Sequence, residues 1–227
     1  MRSVILIPWR PGDPERERNL AYVVSHYERS GIQFVLGDAD TPTFSRTAAR
    51  NEAAARAGSW DVAAMIDADC IIPIEQLEMA LELAYRRKQV ILPHDHYWPL
   101  SRLGTTEAMA EPNIAKWDES WAQDGTHRKR PSGVVVFPRG AWDDVGGYDE
   151  RFEGWGFEDT AMLWALDALS TGWIRTVGKL WHLWHPTANG SWLPSDKALF
   201  ERYKLARGDY SLMRALLRER EGARLSA

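Results

Sequence analysis

Val62-Ala63-Ala64-Met65-Ile66-Asp67-Ala68-Asp69-Cys70 is the stretch on which the fold turns. Val62 to Ile66 is an unbroken apolar run, too short for a helix, and reads as a strand covered on both faces. Strands of that kind belong to parallel sheets flanked by helices. Two carboxylates, one residue apart, then stand at the strand's carboxyl end.

Moving outward, the same alternation repeats on both sides. Ser3 to Ile7 is a first buried strand. Asp13 offers an N-cap with Pro14 in the first helical position, and Leu20, Val23, Val24 and Tyr27 form an apolar stripe that ends at Gly31. Ile32 to Leu36 is a second strand, and Ser45 caps an Ala-rich helix running to Gly58. Beyond the opening stretch, Ile74 to Lys88 carries Leu77, Leu81, Ala84 and Tyr85 on one helical face, and Val90 to Leu92 adds a short strand. The βαβα order predicts an α/β fold, Rossmann-like, with a mostly parallel central sheet whose ligands gather at the carboxyl ends of its strands. Pro8-Trp9-Arg10, Gly37-Asp38-Ala39-Asp40 and Asp67-Ala68-Asp69 all fall there. The glycine patterns of P-loops and dinucleotide folds are missing from these turns.

From Pro93 to Arg130 the periodicity weakens, as in a long excursion that receives an acceptor. A strand resumes over Gly133 to Phe137, and Gly146 to Asp159 is too rich in glycine and acid for a core element. A helix from Glu158 to Ser170 and a strand from Trp173 to Val177 lead to Trp181-His182-Leu183-Trp184-His185-Pro186. The tail is helical with a break at Gly208, and its Arg214, Arg218 and Arg220 read as a solvated amphipathic face. One domain is expected, with a nucleotide-binding half over 1–92, an acceptor and catalytic half over 93–194, and a helical tail over 195–227.

Bulk properties narrow the function. A net charge of −4 argues against a protein that coats nucleic acid. The lone Cys70 cannot form an internal disulfide and fits a reducing, cytoplasmic setting. No apolar run approaches the roughly 20 residues of a membrane span, and no targeting segment is read. Nothing speaks to oligomeric state. The 12 tryptophans, many beside Gly, His, Asp or Pro, suit stacking on sugar faces as well as ordinary packing.

Asp67 and Asp69 supply the hard oxygen ligands that a divalent cation needs, although Asp-x-Asp alone is common in turns. Arg10 and Arg46 suit phosphate or nucleobase, Asp38 suits a base imide or ribose hydroxyl, and Pro8 and Trp9 shape the pocket wall. Glu158 and Asp159 stand behind Gly154-Trp155-Gly156, where they serve either a site or the helix N-terminus. His94-Asp95-His96 is a rival metal cluster, and His127-Arg128-Lys129-Arg130 a candidate basic lid.

Met65 to Pro73 resembles the Asp-x-Asp segment of GT-A glycosyltransferases. Gly146-Gly147-Tyr148-Asp149-Glu150-Arg151-Phe152 with Gly154-Trp155-Gly156-Phe157-Glu158-Asp159 is similar to the Trp-Gly-x-Glu-Asp region of β-1,4-galactosyltransferases and bacterial chondroitin-type polymerases, in families 2, 7 and 27. Ile7-Pro8-Trp9-Arg10 resembles the Pro-aromatic-Arg turn of the same group, and Phe44-Ser45-Arg46 with Arg50-Asn51 its Phe-x-Arg-Ala and Asn positions. The likeness implies a UDP-sugar donor contacted by Pro8, Trp9, Arg10, Asp38, Arg46, Asn51, Asp67 and Ala68. It implies Mn²⁺, or Mg²⁺, on Asp69, Asp67 and His182, with His185 the runner-up and one of the two histidines structural. It also implies Asp159 as general base, Glu158 on an acceptor hydroxyl, and Gly133, Gly154 and Trp155 on the substrate. The acceptor would be a glycan or a protein. Asp159 points to inversion, whereas the retaining polypeptide N-acetylgalactosaminyltransferases resemble a Trp-Gly-x-Glu-Asn version. The animal relatives carry membrane anchors and disulfides, so the resemblance favours a microbial or viral cytosolic enzyme here.

Three other readings compete. A sugar-phosphate nucleotidyltransferase opens with a Gly-rich loop that Pro8-Trp9-Arg10-Pro11-Gly12 does not supply. A non-catalytic carbohydrate-binding protein leaves the four acids unexplained, and a glycosidase has no need of the nucleotide-shaped first half.

Overall fold

The computed structural model describes residues 1–123, 127–128, 130–153, 156–186 and 193–224, with backbone alone at 127–128 and 221–224. The first half follows the buried runs. Strand β1 (Ser3–Pro8) leads to helix α1 (Pro14–Glu28), β2 (Gln33–Gly37), α2 (Arg46–Arg56) and β3 (Val62–Ile66). Both expected caps form, with the Asp13 side chain accepting from the Arg16 N–H and Ser45 from the Ala48 N–H. Strand β1 pairs in parallel with β2 and β3, so Ile5 lies between Phe34 and Ala64. Along β1, Val4 and Leu6 face one apolar layer while Ile5 and Ile7 face the other.

After β3 come β4 (Cys70–Ile71), α3 (Ile74–Arg87), β5 (Val90–Leu92), β6 (His96–Pro99), α4 (Arg102–Ala110) and β7 (His127–Arg128). The chain continues through β8 (Val134–Pro138), α5 (Arg139–Val145), α6 (Glu158–Leu169), β9 (Trp173–Arg175), β10 (Lys179–His182), α7 (Pro194–Ala206) and α8 (Tyr210–Arg224). The main sheet has the order β2-β1-β3-β8-β5-β9, and β8 runs against its neighbours. The expected mostly parallel sheet is therefore present, with one reversed strand inserted beside β3. The reversal sets the start of β8 against the end of β3, where Asp67 N–H donates to Gly133 O at 2.9 Å.

A second sheet, β4-β10-β6-β7, departs from the sequence expectation. The stretch read as an irregular excursion contains β6 and α4, and the strand expected over Trp173 to Val177 stops at Arg175 before β10 begins. These strands are two to four residues long and owe their form to pairing rather than to a local run. Antiparallel pairing of β10 with β4 sets Trp181 opposite Ile71 and His182 opposite Cys70.

The tail corrects the reading of its arginines. Met213, Leu216, Leu217 and Arg220 share the inward face of α8, and Arg220 is 3% exposed. Its guanidinium donates to Val145 O at 2.7 Å, Gly146 O at 3.0 Å and Gly147 O at 3.1 Å. Those carbonyls sit at the C-terminus of α5, which has no further turn to satisfy them and favours a cation. Arg218 stays exposed, and Arg214 makes only long contacts, to the Asp144 carbonyl at 3.4 Å and the Tyr210 hydroxyl at 3.5 Å. Among the described residues, no helix is long and apolar enough to cross a membrane. Arg220→Ala, which strands several buried carbonyls, is expected to cost about 3 kcal/mol in urea unfolding, against less than about 0.5 kcal/mol for Arg218→Ala. Equal costs would show that the buried arginine does not brace α5.

Candidate active site

A cleft of about 920 Å³ opens at the carboxyl ends of β1 and β3 and reaches β10 and the start of α6. At its floor the chain turns sharply. Cys70 N–H donates to Asp67 O at 3.0 Å, closing a turn that sends the side chains of Asp67 and Asp69 to different partners.

Asp69 faces the histidines. His182 Nε2 lies 3.5 Å from Asp69 Oδ1, and His185 Nε2 lies 3.2 Å from Oδ2. The β4–β10 pairing delivers His182, and Leu183 N–H donates to Asp69 O at 2.8 Å to fix the segment that carries His185. One donor atom from each of the three residues lies within 4.8 Å of the others, and among the described residues no other trio of such donors is so close. Burial alone would push the Asp69 carboxyl up, but the two imidazoles hold it well below the usual carboxylate range. Burial pulls His182 down toward its neutral form. Burial acts on His185 in the same sense, but its contact with Asp69 outweighs this and raises it.

Both histidines thus converge on Asp69, where only one was expected. Asp67 does not join them. Its carboxylate accepts from Arg50 Nη2 at 2.8 Å, because the turn rotates it toward α2. The rival cluster separates as well, since His94 is fully buried while His96 Nδ1 pairs with its neighbour Asp95 at 2.8 Å.

Arg50 is the centre of the second group. Its side chain is 2% exposed, and Nη1 donates to Asp159 Oδ1 at 2.8 Å while Nη2 serves Asp67. Its guanidinium carbon lies 4.6 Å from the centre of the Tyr148 ring. Glu158 lies 3.8 Å away, and Arg46, one turn earlier on α2, reaches Glu158 at 3.4 Å. The acids enter the site through Phe157, whose φ of 73° is rare for a residue with a side chain. Stacking of its ring on Phe200, at 4.6 Å between centroids, helps to hold that conformation. Helix α6 begins immediately afterwards, so Glu158 and Asp159 also sit where a helix welcomes negative charge. Burial raises the Asp159 carboxyl; Arg50 opposes this, the charges of Glu158 and Asp67 add to it, and the balance stands at about 7.

The turns after β1, β2 and β3, with the start of α2, form a third group, in part as expected. Pro8, Trp9, Arg10, Arg46 and Ala68 line the cleft. Asp38 does not: its carboxylate accepts from Arg10 Nε at 2.9 Å, which staples the turns after β1 and β2 together. Asn51 also departs from its expected place at the nucleotide. Its amide donates to Tyr148 O at 2.9 Å and Glu150 Oε1 at 2.6 Å, and its carbonyl oxygen accepts from Tyr148 N–H at 2.8 Å. One helical position past Arg50, it points to the Gly147–Tyr148 turn and fastens it. Gly133 lies in the cleft wall, while Gly154 and Trp155 fall outside the described residues.

Residues 119–171 match a family model described as the N-terminal domain of galactosyltransferase, a segment that contains β8, α5, α6 and both acids. No curated protein matches the chain by sequence. A mutant of Drosophila β-1,4-galactosyltransferase 7, solved with manganese, UDP-Gal and xylobiose, aligns with a TM-score of 0.55 at 14% identity, over 86% of this chain and 78% of that one. GalNAc-T7, solved with UDP, GalNAc and Mn²⁺, aligns at 0.52 and 12% identity, over 96% of this chain and 55% of that one.

The chain has the GT-A glycosyltransferase fold. The resemblance drawn from the motifs is borne out, and with it the expectation of a glycosyltransferase. The sequence assigns no role to Arg16 and Tyr97, which line this cleft, or to Arg50 and Tyr148, which are buried behind it. Arg50 did carry a signal, since it shares its face of α2 with Ala49, Ala53 and Ala54, and an arginine among buried alanines needs carboxylates nearby. Of the basic run at 127–130, only the Arg130 side chain is described; it packs 5.0 Å from the Tyr97 ring centre at the cleft wall.

Gly133 has a φ of 96°, and a Cβ there would come within 2.7 Å of Leu180 Cδ1 and 3.2 Å of Cys70 Sγ. Gly133→Ala is therefore expected to lower stability by about 2 kcal/mol through crowding and backbone strain. Thermal melting checks this, and an unchanged midpoint would mean that the β3–β8 junction adapts freely.

Proposed function

We propose that the protein is a metal-dependent glycosyltransferase that moves a sugar from a UDP-sugar to a hydroxyl of a glycan or protein acceptor, with inversion, using Asp159 as general base. The observation that carries this reading is one cleft holding both the Asp69–His182–His185 donor set and a carboxylate poised near neutrality. One carboxylate oxygen and two imidazole nitrogens suit Mn²⁺, and suit the oxygen-preferring Mg²⁺ less well. A divalent cation held there supplies positive charge to the departing diphosphate. The UDP-Gal, UDP and manganese of the aligned structures support the choice of donor and metal.

The remaining work falls to the chain itself. Asp159 takes the acceptor proton as the hydroxyl oxygen bonds to the anomeric carbon and the bond to UDP breaks. Glu158 orients the acceptor hydroxyl. Trp9 and Pro8 wall the nucleotide, and Arg46 faces the donor from α2. The single, buried Cys70 supports a reducing, cytoplasmic compartment.

A panel of UDP-sugars scored for UDP release tests the reading. Release is expected to vanish in EDTA and in Asp69→Ala, to return to the wild-type enzyme with Mn²⁺, and to fall about 10²- to 10⁴-fold in Asp159→Asn. Full activity in EDTA would remove the metal from the reading. The pH profile gives a separate check. A base works only when deprotonated, so kcat/KM should rise with pH through about 7 and level off above it. A profile that falls through that range would assign Asp159 another role.

A further inference from the structure

We propose that Arg50 is a positioning residue for transfer: its guanidinium fixes the spacing between Asp67 on the donor side and Asp159 on the acceptor side, and holds the Asp159 carboxylate in the orientation from which it takes the proton. The inference rests on Asp159 being the base, and it concerns a residue that touches neither substrate.

The geometry is that of a bridge. Two different nitrogens of one rigid, planar group reach two carboxylates, each at 2.8 Å. The bridge cannot relax into solvent, because the arginine side chain is 2% exposed. The Tyr148 ring, 4.6 Å from the guanidinium carbon, fixes the plane, and the Tyr148 hydroxyl adds a 3.4 Å contact to the same Asp159 oxygen. The ring is held in turn by Asn51, the next residue on α2, which binds both the N–H and the C=O of Tyr148. Adjacent positions on one helix therefore hold the bridge and the surface it rests on.

The charges around Asp159 make the role measurable. Arg50 and Arg46 favour its ionised form, while Glu158, Asp67 and burial oppose it. Without the Arg50 charge, the acidic neighbours and burial dominate, and the carboxyl holds its proton to higher pH. Lysine at this position would keep a charge but, as a point donor on a flexible stem, would not span both carboxylates in a fixed plane. The two substitutions thus separate charge from spacing.

The experiment compares UDP release against pH for wild type, Arg50→Lys, Arg50→Gln and Asp159→Asn, with melting curves to show which variants fold. Arg50→Lys is expected to lower kcat about 10- to 100-fold, with the KM for UDP-sugar changed less than about threefold. Arg50→Gln is expected to move the ascending limb of the pH profile upward by about one unit. If Arg50→Gln does not fold, Arg50→Lys decides alone by its kcat and KM. Folded Arg50 variants that keep wild-type kcat and the wild-type limb, beside an inactive Asp159→Asn, would overturn the positioning role and leave the base in place. An active Asp159→Asn would overturn the base, and the role of Arg50 with it.

Discussion

A guanidinium taken out of water has to be met by negative charge, and Arg50 imposes that requirement on everything near it. It is carried inward on the face of α2 that packs against the main sheet, among alanines too small to shield it. The compensating carboxylates come from two distant places, the end of β3 and the first turn of α6. Their convergence fixes where α6 starts relative to the sheet, and with it the Phe157 turn and the packing of α7 through Phe200. The acidic pair is thus a structural obligation of the arginine as well as a chemical resource, and the same contacts serve both ends.

The Asp67–Cys70 turn does for the sheets what Arg50 does for the charges. Strand β3 enters it from the main sheet and β4 leaves it in the second, so Asp67, Ala68 and Asp69 alone join the two. On one side, the reversed strand β8 presents Gly133 O to Asp67. On the other, β10 lies across β4 and brings His182 and then His185 to Asp69. A donor set spread over more than a hundred residues of sequence is therefore assembled by a pairing only two residues long.

What the sequence revealed follows the range of the forces involved. Strands β1, β2, β3 and β5 and helices α1 and α2 were legible because an apolar run, a cap or an N1 proline acts within a few residues. Strands β4, β6 and β10 were not, because segments of two to four residues take their shape from partners far along the chain. The same limit governs the site. Asp69, His182, Glu158 and Asp159 stood out by type and setting, whereas the direction of a side chain did not. Asp38 faces Arg10, Asn51 faces Tyr148, and Asp67 turns from the histidines to Arg50. Arg220 reads in sequence as one cation of a solvated face, because its partners are carbonyls at the distant end of α5.

Asp69 and Asp159 share a cleft, yet their surroundings push them in opposite directions. Asp69 stands between two imidazoles and remains an anion throughout the physiological range, the condition for holding a cation. Asp159 has one arginine in contact but two further acids close by, and burial makes each negative charge harder to bear, so it keeps its proton up to about neutral pH. A carboxylate that is always charged cannot cycle a proton, and one that is often neutral is a poor cation ligand. Opposed environments for two chemically identical groups are how one fold separates acid–base work from charge binding. Here the opposed environments are built from His182 and His185 on one side and from Arg50, Glu158 and Asp67 on the other, and the proposed roles rest on that opposition.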